Sequence, residues 1–248
     1  MLLSAGLLHR AMRYRWKLNR REIAALLPLL PRGGVALDVG MHKGGYSWCM
    51  ARRVGLSGQV FGFEPQLRVV EPTARALARV GLRQVRVIHA ALSDRSGEAM
   101  IAMRRSSTHG ASLEGLDGAS ENSRTEIEHA LVPLLSLDDF AARERLTRLD
   151  FVKIDVEGHE LAVLRGGLST FARLRPALLV EIEVRHHGVK TDPVYESRAL
   201  LEPLGYSGEF FTRSGREPIA AFRAEVHQRY GEGYYSNNFL FTRDHRRR

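Results

Sequence analysis

Residues 35–47 read Val-Ala-Leu-Asp-Val-Gly-Met-His-Lys-Gly-Gly-Tyr-Ser, and this stretch decides the fold. The run Val35–Val39 is apolar except for Asp38, which is typical of a parallel strand buried on both faces. The glycines that follow allow a tight turn and a close approach of the backbone to a ligand. A helix that begins near Gly45 would direct its free N–H groups at that ligand. The stretch therefore predicts a strand, a glycine turn and a helix that together bind a ligand.

The glycine spacing narrows the choice of ligand. The interval from Gly40 to Gly44 does not match the dinucleotide pattern G-x-G-x-x-G, and the G-K-[ST] of a phosphate loop is missing. Asp38, two positions before the first glycine, suits a ligand that carries positive charge and hydroxyl groups. S-adenosylmethionine, a sulfonium nucleoside with an amino-acid tail, fits that description. An ordinary strand-to-helix turn, in which the glycines serve only geometry, is the alternative at this point.

A second acidic residue supports a nucleoside ligand. The run Val60–Glu64 is predicted to be a strand that Pro65 stops. Glu64 follows the glycine turn by about 20 residues, at a strand end where a carboxylate can accept hydrogen bonds from both ribose hydroxyls. A surface glutamate at a strand end is the alternative. A third strand is predicted over residues 85–92, and its end would face the base, so the candidates for an adenine pocket are Ala91, Leu92 and Ser93.

A second chemical centre lies at residues 150–160, Asp-Phe-Val-Lys-Ile-Asp-Val-Glu-Gly-His-Glu. Residues 151–156 are predicted to form a fourth strand, and Asp155 and Glu157 would point to the same side if that strand continued. Acidic side chains and a histidine at a strand end need a ligand, a metal or hydrogen bonds to offset their repulsion. A solvated acidic turn that caps a helix accounts well for Glu160 and poorly for Asp155.

A fifth strand is predicted over residues 177–184, with Glu181 and Glu183 on one face. These carboxyl groups would lie at the edge of the sheet where open α/β folds bind ligands. Further predicted elements are helices at 66–80 and 193–203, a helix that starts at Asp138-Asp139, an edge strand at 97–103, a strand at 132–137, and a closing antiparallel pair at 205–212 and 234–242.

The polar stretch 104–130 is predicted to be a long loop. A loop of that length inside a compact domain is usually functional or disordered. We assign it to acceptor recognition, with His109 and Ser112 as its most interesting members.

Length and composition indicate one α/β domain with additions, since the chain has 248 residues, 44% of them hydrophobic and 26% charged. No window reaches the roughly 18 apolar residues of a membrane span, and no basic region precedes the apolar first residues, so we predict a cytoplasmic protein. The single cysteine, Cys49, rules out an intramolecular disulfide and a cysteine-cluster metal site.

The net charge of +9 is concentrated at the two ends. Residues 1–34 hold seven basic side chains against one acidic, which gives +6, and residues 243–248 hold four against one, which gives +3. The body, 35–242, is therefore neutral, whereas a nucleic-acid site would need a basic groove on it. The basic ends leave open contact with a membrane surface or an acidic partner. Apolar spacing over residues 8–30 predicts one or two amphipathic helices that cap the core or cover the ligand site.

The chain resembles the FkbM family of S-adenosylmethionine-dependent methyltransferases. The resemblance rests on an ordered set of motifs: Asp38-Val-Gly-Met-His-Lys-Gly-Gly-Tyr-Ser47, Phe63-Glu-Pro65, Ala91-Leu-Ser-Asp94, Leu137-Asp-Asp139, Val152-Lys-Ile-Asp-Val-Glu-Gly-His-Glu160, Pro176 through Glu181, and Asn238-Phe-Leu-Phe241. It implies a class I methyltransferase fold, a Rossmann-like α/β fold with a seven-stranded, mostly parallel sheet and helices on both faces. We predict this domain over residues 35–242, after a basic helical extension at 1–34 and before a basic tail at 243–248.

The resemblance also implies an acceptor and cofactor contacts. The acceptor is typically a hydroxyl of a sugar, lipid or secondary metabolite, so the expected partner is a small molecule or glycan, and a homodimer is left open. Asp38, Gly40 and Tyr46 would hold the methionine end of the cofactor, Glu64 the ribose, and Leu92 with Ser93 the adenine. The predicted cofactor-binding set is completed by His42, Gly44, Ser47, Pro65, Ala91 and Asp155. Met41-His42 departs from the Ala-Asn that is common in the family.

Methyl transfer to an alcohol is an in-line displacement on an activated sulfonium, so the protein must exclude water, align the acceptor oxygen and remove its proton. Asp155 is the first candidate for the polar group at the reaction centre, with Glu157 or His159 as base. Glu181 would orient either of them, or join Asp155 in binding a divalent cation as in catechol-type methyltransferases; we assign no metal ligand.

Two other functions are weighed against this prediction. A nucleic-acid methyltransferase is opposed by the neutral body and by the lack of an N-P-P-[YF]-type motif for a flipped base. A non-catalytic adaptor would keep the fold and use the basic N-terminus to bind a partner or membrane.

Overall fold

The computed structural model describes residues 19–104, 113, 127–187, 191–231 and 233–243. Eight strands form a central sheet in the order β10-β9-β11-β8-β7-β1-β2-β3. Their bounds are β1 Val35–Val39, β2 Gln59–Glu64, β3 Val85–His89, β7 Phe151–Ile154, β8 Ala177–Glu181, β9 Tyr206–Phe211, β10 Arg216–Pro218 and β11 Asn238–Arg243.

The sheet is parallel around β1 and antiparallel at one side. The pairs β1–β2, β1–β7, β2–β3 and β7–β8 are parallel, and the pairs β8–β11, β11–β9 and β9–β10 are antiparallel. The predicted seven-stranded, mostly parallel sheet is confirmed, and β10 adds an eighth strand at its edge. Because the strand order reverses between β1 and β7, a crevice opens there at the carboxyl ends of the strands.

Helices cover both faces of the sheet, as predicted. Their bounds are α1 Arg20–Leu29, α2 Gly45–Val54, α3 Leu67–Arg79, α4 Leu137–Arg143, α5 Glu160–Arg165, α6 Leu168–Leu174, α7 Pro193–Leu201 and α8 Ala224–His227. Helices α1 to α3 share one apolar core with the sheet, and α4 to α7 share the other. The alternation along the strands produces this division, since Leu37 and Val39 join one core while Ala36 joins the other.

Helix α1 caps the core, which agrees with the prediction for residues 8–30 as far as the structure describes them. Ile23 and Leu26, one turn apart, are fully buried and pack in the same core as Met50 of α2. Glu22, which precedes Ile23, accepts a hydrogen bond from the Tyr234 hydroxyl, with a distance of 3.0 Å to Oε1. The helix is therefore held to the sheet by apolar packing and by polar contacts near its start.

A second, three-stranded sheet has the order β4-β6-β5, with β4 Ala91–Ser93, β5 Gly97–Arg104 and β6 Ile127–Ser136. The single strand predicted over 85–92 was therefore wrong. β3 ends at His89, opposite Glu64, because Pro65 stops its partner β2 and has no N–H to offer. Ala91–Ser93 pair instead with β6 in the second sheet.

Two further strands are shorter than predicted. β7 stops at Ile154, opposite Val39, because β1 turns away at Gly40. β8 stops at Glu181 and is followed by a short 3-10 helix, Val184–His186.

The predicted loop 104–130 is also shorter than expected, because β5 and β6 extend into it. His109 and Ser112 lie outside the described residues, as do residues 1–18 and 244–248 of the predicted extension and tail. Across the described helices, none has the length and apolar character needed to cross a bilayer.

Candidate active site

A pocket opens at the carboxyl ends of β1, β2 and β7. Eleven of the predicted site residues line it, namely Asp38, Gly40, His42, Tyr46, Glu64, Pro65, Ala91, Leu92, Asp155, Glu157 and His159. Four predicted residues do not line it, namely Gly44, Ser47, Ser93 and Glu181. The lining residues that the sequence did not single out include Lys43, Phe63, Gln66, Ile101 and Leu113.

Asp38 lies at the floor of this pocket. Its side chain is buried, and Ser47 Oγ of α2 donates to its Oδ2 at 2.5 Å. Burial raises the pKa of Asp38 to about 6, against the opposing effects of the Ser47 hydrogen bond and the Lys153 charge. Ser47 thus acts behind Asp38 and not on the pocket itself.

Gly40 and Gly44 of the turn require glycine for different structural reasons. Gly40 has φ 76°, and a Cβ added there would lie 1.8 Å from the carbonyl oxygen of Asp155. Only glycine therefore allows the ends of β1 and β7 to meet. Gly44, with φ 77°, is the N-cap of α2, and its left-handed backbone favours glycine.

Glu64 is held at the pocket wall by two backbone groups. Its Oε2 accepts from the His42 N–H at 3.0 Å, and its Oε1 accepts from the Gln66 N–H at 2.9 Å. Burial raises the pKa of Glu64 to about 7, although these two hydrogen bonds act in the opposite direction. Each oxygen keeps further acceptor capacity for a ligand. His42 itself has φ 48°, which lies in the left-handed region that asparagine adopts more readily than histidine.

Another part of the pocket wall is apolar, and it is linked to His159 by one hydrogen bond. Ala91 and Leu92 line the pocket with Ile101 of β5, whereas the Ser93 hydroxyl points to His159, with Oγ and Nε2 2.9 Å apart. His159 precedes α5 as its N-cap residue. The candidate base and the candidate adenine wall are therefore joined by a hydrogen bond, which sequence spacing could not reveal.

Lys153 is the functional-site residue that sequence reasoning missed. Its side chain is only 1% exposed, with Nζ 3.3 Å from Asp155 Oδ2 and 3.7 Å from Glu181 Oε2. Nζ also lies 5.3 Å from the centre of the Tyr46 ring. Burial opposes its charge, yet the Asp155 and Glu181 carboxylates raise the pKa of Lys153 above its ordinary value. A lysine inside the apolar strand Phe-Val-Lys-Ile was the signal, since a buried ammonium needs a carboxylate partner.

Glu157 reaches the pocket through a turn. Asp155 and Glu157 would point to the same side only if β7 continued to Glu157. It does not continue, because Glu157 has φ 54° and Gly158 has φ 101°. Its Oε2 lies 3.8 Å from His186 Nδ1. Burial, followed by the charges of Asp155 and Glu183, raises the pKa of Glu157 to about 7. A non-glycine residue in this backbone region beside a pocket stores strain at the site.

Glu160 has a structural role, but not on a solvated turn. It is buried, its Oε1 accepts from the Gly158 N–H at 2.9 Å, and its Oε2 lies 3.3 Å from His187 Nε2. The alternative of a solvated acidic turn therefore does not describe Glu160, whose carboxyl group is buried. Glu160 fixes the turn that carries Glu157.

Glu181 lies behind the pocket, at the end of β8. Asn237 Nδ2 donates to Glu181 Oε1 at 2.8 Å and to Glu183 Oε1 at 3.3 Å, so both carboxyl groups meet one amide. Burial and the Asp155 charge raise the pKa of Glu181 well above its ordinary value. Within the residues that the structure describes, no group of three or more His, Cys, Asp and Glu side chains has the arrangement of a metal site.

Known structures share the fold. An FkbM methyltransferase from Methylobacillus flagellatus KT has a TM-score of 0.52 at 14% identity, over 84% of this chain and 43% of that chain. A putative O-methyltransferase from Klebsiella pneumoniae has a TM-score of 0.53 at 13% identity, over 98% and 90%. Cofactor-bound Rv0187 from MTB has a TM-score of 0.50 at 14% identity, over 97% and 88%. The chain thus spans less than half of the first of these structures.

Sequence comparison identifies the family. No curated protein matches the chain. The family profile described as methyltransferase FkbM domain matches residues 38–207, which is well over half of the chain and includes both chemical centres. The chain belongs to the FkbM family of S-adenosylmethionine-dependent methyltransferases.

Proposed function

We propose that the protein transfers a methyl group to a hydroxyl of a sugar, glycolipid or secondary metabolite. The observation that carries this proposal is Glu157, a pocket-lining carboxylate whose pKa is raised to about 7. A base of that pKa is half deprotonated at neutral pH and is matched to remove a proton from a hydroxyl as the new bond forms. The similarity of fold to a putative O-methyltransferase agrees with an oxygen acceptor.

The residues of the pocket fit S-adenosylmethionine. Asp38 is a buried acid that accepts from a hydroxyl, and Glu64 is a buried acid that accepts from two backbone N–H groups, so these donors are neutral. A cationic ligand with hydroxyl groups would complete both environments. When bound, the cofactor supplies an electrophilic methyl group. Asp38, Gly40 and Tyr46 would hold its methionine end, Glu64 its ribose, and Ala91 with Leu92 its base.

We assign the proton-accepting role to Glu157 ahead of His159. His159 Nε2 is engaged with the Ser93 hydroxyl at 2.9 Å, which points the ring toward the predicted adenine wall. Glu157 is carried by a separate turn beside Asp155. Asp155 would then align the acceptor or the methionine end, since its carboxylate is held from behind by Lys153.

The test is transfer of labelled methyl groups from S-adenosylmethionine to fractionated extracts. We expect label in a glycan, glycolipid or small-metabolite fraction, and loss of that label in Glu157→Gln. Glu71→Gln is the matched control, because Glu71 is an exposed helical glutamate whose Arg75 partner lies one turn away.

Two results would contradict the proposed reaction, and a third would contradict only the role of Glu157. Label in RNA or DNA would identify a nucleic-acid methyltransferase. Absence of calorimetric heat with S-adenosylmethionine would favour a non-catalytic adaptor. Label in oxygen acceptors that survives in Glu157→Gln would remove Glu157 from the role of base while leaving the acceptor class intact.

A further inference from the structure

Two carboxyl groups meet one ammonium behind the pocket. β7 and β8 pair in register, with Ile154 opposite Val180, so Asp155 and Glu181 follow as neighbours at the same sheet edge. Lys153 Nζ lies 3.3 Å from the first carboxylate and 3.7 Å from the second. The Lys153 ammonium therefore lies where the ends of β7 and β8 place two carboxyl groups side by side.

This lysine is not explained by stability alone. A buried ion pair is often no more stabilising than apolar side chains of similar volume, because its charges lose their hydration. β7 is otherwise apolar, Phe-Val-Lys-Ile, and every residue of it is buried, so an aliphatic side chain would suit the position. The benefit of the ammonium must lie in what it does to its neighbours.

Two neighbours of Lys153 line the pocket, whereas Lys153 and Glu181 do not. Asp155 and Tyr46 line the pocket, and the ammonium contacts the Asp155 carboxylate and lies 5.3 Å from the Tyr46 ring centre. Lys153 thus acts from behind on two groups that would meet a ligand. It is a positioning residue and not a catalytic one.

The ammonium also occupies the position of a possible metal. A divalent cation shared by Asp155 and Glu181 would lie between the same oxygens, at about 2.0–2.6 Å from each. We propose that Lys153 is a built-in substitute for a divalent cation, which orients Asp155 and makes this edge of the pocket independent of metal. The functional consequence rests on the proposed methyl transfer, whereas the cation-binding test below does not.

The first test measures Mn²⁺ binding by electron paramagnetic resonance. Lys153→Ala removes the ammonium and leaves both carboxyl groups, so we expect it to bind Mn²⁺ at least tenfold more tightly than the wild-type protein. The double variant Lys153→Ala with Glu181→Gln lacks the second carboxylate and should lose that gain. Wild-type protein that binds Mn²⁺ tightly, with the binding lost in Glu181→Gln, would overturn the proposal, and this arm needs no Lys153 variant to fold.

The second test separates positioning from folding. Chelator should leave methyl transfer by the wild-type protein unchanged within about twofold. Lys153→Met should lower the maximal rate by a larger factor than it changes the KM for S-adenosylmethionine. Lys153→Arg keeps the charge and should recover part of the rate. Equal rates for Lys153→Met and wild type would contradict the positioning role. Failure of the wild-type protein to bind S-adenosylmethionine by calorimetry would contradict the proposed function but not the Mn²⁺ result.

Discussion

The two halves of the sheet edge balance the charge of their buried acids in different ways. At the ends of β1 and β2, Asp38 accepts from a serine hydroxyl and Glu64 from two backbone N–H groups. At the ends of β7 and β8, Asp155 and Glu181 share the ammonium of Lys153. One half has neutral donors, and the other has a fixed cation.

The half at β1 and β2 therefore holds its acids with neutral donors until a cationic ligand binds, whereas the half at β7 and β8 already contains the Lys153 ammonium. Neutral donors leave negative charge that a cationic ligand can complete, so binding there should be coupled to proton release. A permanent ion pair holds its carboxylate in place whether or not a ligand is bound. We expect Asp38 and Glu64 to change protonation when the cofactor binds, and the Asp155 carboxylate to keep its position.

The largest effect should come from Gly40→Ala, at the seam between the halves. The added Cβ would lie 1.8 Å from the Asp155 carbonyl oxygen, so the ends of β1 and β7 must separate. We expect a loss of about 4 kcal/mol or more in the free energy of unfolding, measured in urea, together with loss of S-adenosylmethionine binding. Gly81→Ala is the control, since Gly81 has φ +77° with nothing within 4 Å of its added Cβ. Its cost should be about 1–2 kcal/mol from the backbone alone. Equal losses would show that the seam is not tight.

Glu157→Gln should remove the proton acceptor from the half at β7 and β8 and leave cofactor binding by the half at β1 and β2 intact. We expect methyl transfer to fall by about 10²- to 10⁴-fold, while S-adenosylmethionine affinity stays within about threefold. In the wild-type protein, the rate should rise with pH through about 7, because burial raises the pKa of Glu157 to that value and the base must be deprotonated. Labelled-transfer rates from pH 5 to 9 measure both effects. A pH profile that is the same in the variant would refute the assignment.

Glu64→Gln should sharpen the contrast through pH. The folded state holds the Glu64 proton up to a pKa of about 7, above its ordinary value, so this residue lowers stability as pH rises from about 4.5 through 7. The ligand-free variant should therefore lose about 1–3 kcal/mol against wild type at pH 4, because the glutamine NH2 group cannot accept the second backbone N–H bond, and should recover roughly 2–3 kcal/mol of that difference between pH 4 and pH 8.

The same substitution should weaken S-adenosylmethionine binding by about tenfold, since a charged acceptor for the ribose is lost. Calorimetry near pH 6.5 in buffers of different ionisation enthalpy should show proton release on binding by wild type and less by Glu64→Gln. No pH dependence in either protein would argue that Glu64 does not face the ligand.

His42→Asn should have the smallest effect. His42 has φ 48°, and Asn adopts this left-handed region more readily. We expect a gain of about 0.5 kcal/mol in thermal unfolding experiments, with the His42 N–H still donating to Glu64. His42→Val, which is branched at Cβ, should lose about 1–2 kcal/mol and so bracket the effect. A loss of stability in His42→Asn would mean that the imidazole itself is needed.

The sequence predicted the first half of the site better than the second. Asp38, Gly40 and Glu64 are set by a strand, a turn and a strand end, which are local features that residue order encodes. The role of Lys153 depends on the register of β7 against β8, a contact between segments far apart in the chain. Glu157 depends on where β7 stops, and that is decided by its partner β1.

The same limit explains the errors in the strands. The run 85–92 has the apolar pattern of one strand, but β2 can pair only as far as His89, and the remaining residues pair with β6. Residue pattern marks what can be a strand, and partner length decides where it ends.

The packing of α1 has a practical consequence for where this protein can be shortened. The family profile begins at residue 38, yet Ile23, Leu26 and Leu30 are as buried as the centre of the sheet. Arg21 also donates to the carbonyl oxygens of Thr212 and Arg213, beyond the end of β9. A chain whose start was trimmed to residue 38 would lose α1, expose the apolar face that α1 covers and free that turn, so it should aggregate even with every pocket-lining residue in place.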